Sequence, residues 1–214
     1  MIFKQEMSIS LGILKRFIYN AKSETFAKTS EKDFLPNQTS VLSYRDFDNS
    51  LFEGMIYTDM YNGNFIECGQ EIVSLNLAAI WCNQYYGGIV AEYWDLSDKI
   101  KREMKKNFSM LQSDKLLYLT LVFLKQALLN MPLEFPVRGP KKHFANSVNF
   151  ENQTYSGEWM YKNEWKKSSI FSCDDPFLSF VGEESIYYNG VEIYWHAYHG
   201  GIIRDKYFPA LIND

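Results

Sequence analysis

The feature that most narrows what this chain can fold into is a stretch that occurs twice. Gly69 to Val90, "GQEIVSLNLAAIWCNQYYGGIV", aligns without a gap on Gly182 to Ile203, "GEESIYYNGVEIYWHAYHGGII", with eight identities in 22 positions. Gly69 matches Gly182, Glu71 matches Glu184, Asn76 matches Asn189, Ile80 matches Ile193, Tyr85 matches Tyr198, and Gly87-Gly88-Ile89 matches Gly200-Gly201-Ile202. A second block agrees, "FDNSLFEG" at 47–54 with "FENQTYSG" at 150–157. The spacing between the blocks is ten residues longer in the second copy, which places an inserted loop at "KKSSIFSCDDP".

Each copy consists of short apolar runs separated by turn signals, among them Asn-Gly at 62–63 and at 189–190, a pair that accepts the positive φ of a tight hairpin. A helical pattern precedes each set. In "LGILKRFIYNAK" the residues Leu11, Leu14, Phe17, Ile18 and Ala21 form one apolar stripe. The long apolar run from Leu116 to Leu133 ends near Met131, where Pro132 and Pro136 cannot continue a helix. The expected fold class is therefore α+β: an internally duplicated unit of a helix plus a three-stranded antiparallel meander, two copies packed pseudo-symmetrically. The whole chain, 1–214, reads as a single domain, with a first α-βββ repeat at 9–90 and a second at 111–214. Between them, at 91–110, "LSDKIKREMKKNFS" predicts a charged linker helix with Ser97 as N-cap and Asp98 in its first turn.

Composition constrains the partners. A hydrophobic fraction of 46% supports a packed core, and 17% aromatics favours strands. The net charge of −4 argues against a nucleic-acid partner, which needs an excess of Lys and Arg on at least one face. The run from Leu116 contains Lys125, Gln126 and Asn130 and falls short of the roughly 20 apolar residues of a membrane span, so no membrane partner is expected. Cys68, Cys82 and Cys173 are odd in number and contain no Cys-x-x-Cys pair, and the N-terminus shows no leader cleavage site. Together these suit a reducing, cytoplasmic location.

Strict alternation along the last strand of each copy puts Val191, Ile193, Trp195 and Ala197, with Ala78, Ile80, Cys82 and Gln84, on the expected core face. The other face then carries Tyr194, His196 and Tyr198 against Trp81, Asn83 and Tyr85, an aromatic-polar-aromatic ladder able to line a ligand pocket by stacking and hydrogen bonding. With Glu71 and Glu184 these are the candidate ligand-binding residues. The two glutamates are also candidates for an acid and base pair, if a pseudo-twofold axis brings them together. His196 and His199 are three apart and point to opposite faces of a strand; the positions they match, Asn83 and Tyr86, are not usual metal ligands. Neither a metal nor another cofactor is expected. The Gly-Gly pairs read as a turn or bulge at a strand end, and no phosphate loop, Ser-His-Asp or Cys-His arrangement is present in context.

The blocks "FIYNAKSETFA", "GQEIVSLNLAAIWCNQYYGG", "PLEFPVRGPKKHF" and "GEESIYYNGVEIYWHAYHGG" resemble, in the same order, those of an uncharacterised prokaryotic family, the domain of unknown function numbered 5680. The likeness runs through most of the chain and implies no activity; its association with repressor-type DNA-binding segments implies a sensing or interaction role. The functional expectation is a ligand-binding or sensing module without a catalytic motif. Two alternatives remain: an inhibitor or immunity-type protein using the loop around Asp174 and Asp175 against a partner protein, and an enzyme using Glu71 and Glu184.

Overall fold

The computed structural model describes residues 9–26, 33–34, 39–63, 66–90, 113–150, 152–168, 175–203 and 212–213. Its elements in chain order are β1 (Ile9–Ser10), α1 (Leu11–Glu24), β2 (Asp33–Phe34), β3 (Ser40–Tyr44), β4 (Met55–Asn62), β5 (Ile66–Leu75), β6 (Ala78–Ile89), α2 (Ser113–Leu129), β7 (Lys142–Phe150), β8 (Gln153–Lys167), β9 (Ser179–Tyr188), β10 (Val191–Ile202) and β11 (Ile212–Asn213). The expected charged helix at 91–110 lies outside the described residues, as do Cys173 and Asp174 of the inserted loop.

The expected two-copy packing is overturned. Nine strands form one continuous antiparallel sheet in the order β2-β3-β4-β5-β6-β10-β9-β8-β7, with a two-residue parallel ladder between β1 and β11 beside it. The last strands of the two aligned stretches, β6 and β10, bond to each other in the middle of this sheet, with Tyr85 directly opposite Tyr198. A meander with its own helix must cover its apolar face alone, whereas joining along β6 and β10 removes two open edges and lets both helices cover one shared face. Strands β3 and β7 extend the sheet on either side and were not anticipated. The result is a strand-dominated fold with two helices among the described residues, not a pair of α+β units.

Local chemistry explains both helices. The Ser10 side chain caps α1 by accepting from the Ile13 N–H at 3.2 Å, and at the other end the Thr25 hydroxyl donates to the Ala21 carbonyl at 2.7 Å. Helix α1 buries Leu14, Phe17, Ile18 and Ala21 in a cluster with Phe52, Val73, Ile80 and Trp81. Helix α2 buries Leu119, Phe123, Leu124 and Ala127 against Trp159, Tyr161, Ile186 and Ile193. Each helix thus covers its own apolar cluster, the one under α1 also taking in Phe177, Phe180 and Tyr198 from the second half, and buried polar residues gather where the two clusters meet. No helix among the described residues is long and apolar enough to cross a membrane.

The expected core face is wrong from Trp81 and Tyr194 onward, and two β-bulges are the reason. In the β5–β6 ladder Val73 pairs with Trp81 and Ser74 with Ala79, so Ile80 is an extra residue; in the β9–β10 ladder Ile193 is skipped in the same way. An extra residue shifts the period-2 pattern by one and exchanges the faces beyond it. Ile80 and Ile193 stay inside, but Trp81, Asn83 and Tyr85, with Tyr194, His196 and Tyr198, follow them into the interior, while Gln84 and His199 are exposed. The bulged carbonyls are satisfied across the seam: Ile203 N–H donates to Ile80 at 2.9 Å and Val90 N–H to Ile193 at 3.2 Å.

The Gly-Gly pairs do lie at the ends of their strands, just before Ile89 of β6 and Ile202 of β10, but they are paired in the ladder and form no turn or bulge. Gly87 stands opposite His196 and Gly200 opposite Asn83. A Cβ on Gly87 would fall 2.2 Å from the Trp195 carbonyl oxygen, and one on Gly200 would fall 2.1 Å from that of Cys82. The seam therefore closes only because these positions have no side chain.

Candidate functional site

The polar zone between the two apolar clusters straddles the seam. On the β6 side, Glu71 accepts from the Asn83 amide at 2.9 Å and pairs with Lys22 of α1 at 2.7 Å, while Asp59 of β4, opposite Glu71 in register, accepts from the Tyr85 hydroxyl at 2.6 Å. On the β10 side, Glu184 accepts from the Tyr161 hydroxyl at 2.6 Å, lies 3.1 Å from His196 Nδ1 and 3.6 Å from Arg138 Nη1, and Tyr198 donates to Asn163 Oδ1 at 2.6 Å. All of these residues are buried. Removing an ion from water costs several kcal/mol, which explains why each carboxylate has a cation and hydroxyl or amide donors around it.

Lys22 reaches the zone because it shares the buried face of α1 with Ile18 and Ala21. Its amine also donates to the Val137 carbonyl. Arg138 comes from the segment between α2 and β7, where Phe135, Pro136, Val137, Arg138 and Gly139 are buried. Buried irregular backbone needs partners; Asn163 supplies them, its amide donating to the Gly139 carbonyl at 2.8 Å and its backbone N–H to that of Lys141 at 3.0 Å. The Arg138 guanidinium sits over Tyr85 and Tyr198, 5.0 and 5.7 Å from the ring centroids. Those tyrosines hold their positions by lying across Gly69 and Gly182, where a Cβ would come within 2.5 and 2.4 Å of their hydroxyl ends.

The proton distribution follows from these contacts. Burial pushes the Asp59 carboxyl up, the neighbouring Glu71 charge adds to that, and the group titrates at about 7. For Glu71 burial acts in the same upward direction, but Lys22, Arg138 and Asn83 outweigh it and hold the group below its usual range. Glu184 is brought down to about 2 against its burial, by Arg138 first and then by His196 and Tyr161. Glu71 and Glu184 are both lowered, with Arg138 acting on each, so neither is set up to hold a proton for the other; the carboxyl that Glu71 pushes up is Asp59.

Of the expected site residues, Glu71, Asn83, Tyr85, Glu184, His196 and Tyr198 come together in this network, and Tyr194 joins its rim by donating to Glu67 at 3.2 Å. Trp81 does not join it; its ring stacks on Phe177 at 5.8 Å within the apolar cluster under α1. His199 is exposed on the far face and His143 lies tilted against Phe123, so the three histidines do not converge. Among the described residues no group of three or more His, Cys, Asp or Glu is placed to hold a metal ion.

Sequence reasoning missed Lys22, Asp59, Arg138 and Asn163. Signals existed: Lys22 interrupts the apolar stripe of α1, Asp59 alternates with Tyr57 and Tyr61, and Arg138 sits between two prolines in "PVRGP". A small cavity of about 20 Å³ opens onto this network, lined by Lys22, Asp59, Glu71, Tyr85, Arg138 and His196 among others. The chain matches no family model, no curated protein and no solved structure.

Proposed function

We propose that the protein is a binding or sensing module whose small polar ligand places its head group in the cavity at the β6–β10 seam. The observation that carries this reading is a set of buried polar atoms without a hydrogen-bond partner: Arg138 Nε and Nη2, and His196 Nε2, whose nearest charged neighbour is Glu67 at 4.0 Å, in two residues that both line the cavity. Buried donors are normally satisfied, and leaving one unmet costs about 1–3 kcal/mol, so a cluster of unmet groups beside a cavity suits a ligand that completes them. The cavity accepts one or two water-sized groups, by the rule that a water needs roughly 10–15 Å³. A ligand would therefore insert a polar end and leave its body outside. A thermal-shift screen of small polar metabolites on wild type and Tyr85→Phe tests the reading. A compound that raises the wild-type midpoint and loses that effect in the variant supports it. No active compound, or equal shifts in both proteins, rules out this site.

A further inference from the structure

We infer that the head group this cavity takes is a carboxylate, seated on the Nε and Nη2 edge of Arg138. The inference rests on the proposed binding role and adds the chemistry of the ligand. A guanidinium has five N–H donors in a rigid plane, and the Nε–H and the Nη2 N–H beside it form a fork whose spacing matches the two oxygens of a carboxylate. In Arg138 every other feature of the group is committed. Tyr85 and Tyr198 rings lie near the guanidinium carbon, at 5.0 and 5.7 Å, and Nη1 is the atom nearest Glu184. At 3.6 Å that contact is an ion pair beyond ordinary hydrogen-bond length, and Glu184 has His196 and Tyr161 as its closer partners. The fork alone is left with no partner among the described residues, although the Arg138 side chain is only 8% exposed.

Charge decides whether an added anion is tolerable. Lys22 and Arg138 already face Glu71 and Glu184, and Glu67 lines the cavity as well, so one more negative charge is costly in a site with little water. Asp59 limits that cost by holding a proton and adding no charge of its own. The groups facing Asp59 are Glu71 from β5, Tyr85 from β6, Lys22 from α1 and Arg138 from the segment before β7, and the same cavity is lined by Tyr57 and Tyr61 of its own strand, Glu67 of β5 and His196 of β10; from α2 it receives only Leu124 and Leu128. A carboxylate on Arg138 adds a second anion to this set and favours neutral Asp59 further. Binding is then linked to retention of one proton, and affinity falls by up to tenfold per pH unit above neutrality.

The test uses the full chain labelled with nitrogen-15, titrated with sodium acetate, acetamide and methylammonium chloride at an ionic strength held constant with sodium chloride. The Arg138 Nε–H signal is assigned by its loss in Arg138→Lys, whose fold is checked by circular dichroism. The expected result is a saturable movement of that signal with acetate and none with acetamide, which has the same shape without the charge. The acetate affinity should weaken from pH 6 to pH 8 in wild type and stay flat in Asp59→Asn. An Arg138 signal unmoved by acetate overturns the inference, and needs no variant beyond the assignment. If acetamide or methylammonium then moves signals of Tyr85 or His196, the binding role stands with a different ligand class. If none of the three probes moves any signal of the cavity, both fall.

Discussion

Tyr85 and Tyr198 stand directly opposite each other across the β6–β10 seam, and the Arg138 guanidinium lies near both rings. Their hydroxyls go different ways: Tyr85 donates to a carboxylate, Asp59, and Tyr198 to an amide, Asn163. At the matched positions that receive these hydroxyls the two halves differ by an ionisable group, Asp59 on the β6 side and Asn163 on the β10 side. That difference makes the β6 side the responsive one.

The pH dependence of stability should show it. Asp59 titrates at about 7 in the folded chain, well above a free carboxylate, so between those values the folded state binds a proton the unfolded state has lost. Stability then falls as pH rises through that window, by up to about 1.4 kcal/mol per unit, and levels off above 7. Glu184, lowered to about 2, acts oppositely: its contribution is present above the free-glutamate value and is lost as pH falls toward 2. Urea midpoints from pH 3 to 8 should peak in mildly acid solution, and Asp59→Asn should flatten the decline on the neutral side. A neutral-side decline unchanged in Asp59→Asn would remove Asp59 as its cause.

Gly69→Ala and Gly182→Ala should each cost about 1–3 kcal/mol, the range for overpacking. The new methyl would meet the hydroxyl end of Tyr85 or the ring of Tyr198, and at Gly69 the Met60 carbonyl oxygen as well, at 2.6 Å. Gly12→Ala in α1, with nothing within 4 Å of the added carbon, should instead be neutral or stabilising. Denaturant unfolding of the three variants checks the contrast.

Leu77→Gly should stabilise the protein by about 1 kcal/mol despite removing a large apolar side chain. Leu77 has φ +71 in the β5–β6 turn and its side chain is 89% exposed, so it contributes strain and little packing. The matched turn has Asn189 and Gly190 at φ +49 and +79, the residue types that this geometry favours. A lower melting midpoint in Leu77→Gly would contradict this account.

Deleting Ile193 should destabilise the protein by about 2–5 kcal/mol without exchanging the faces of β10. Glu192 pairs with Tyr187 and Tyr194 with Ile186, so without the extra residue the alternation is regular and Tyr194, His196 and Tyr198 stay opposite their present partners; what is lost is the buried Ile193 side chain and the carbonyl that accepts from Val90. Denaturant unfolding should show the loss, while near-ultraviolet circular dichroism keeps its native signal. A lost native signal would mean that the faces of β10 depend on the bulge residue itself.

The pairing of short strands into hairpins was legible in the sequence, because Asn-Gly turns and apolar runs are local signals. The same holds for α1 and α2. The joining of β6 to β10 was not, since a strand edge leaves no local mark of which distant edge it will meet. The faces were misassigned at Ile80 and Ile193, where one added residue changes nothing in composition and everything in phase. The site was half legible for a related reason: Glu71, Asn83, Glu184 and His196 lie in the aligned stretches, whereas Lys22, Asp59 and Arg138 reach them only through tertiary packing. Trp81 shared their periodicity and nothing else.

The central seam also orders the events of folding. Tyr85 and Tyr198 are 113 positions apart in the chain, whereas β5–β6 and β9–β10 close over two-residue turns. Closing so long a loop costs about 4 kcal/mol of chain entropy, so the local ladders can form early and the seam must wait for both. Lys22 and Arg138 arrive from two further parts of the chain. Neither half alone contributes the whole lining; the cavity comes into being only when the seam closes, so a ligand seated there would report that both halves had met.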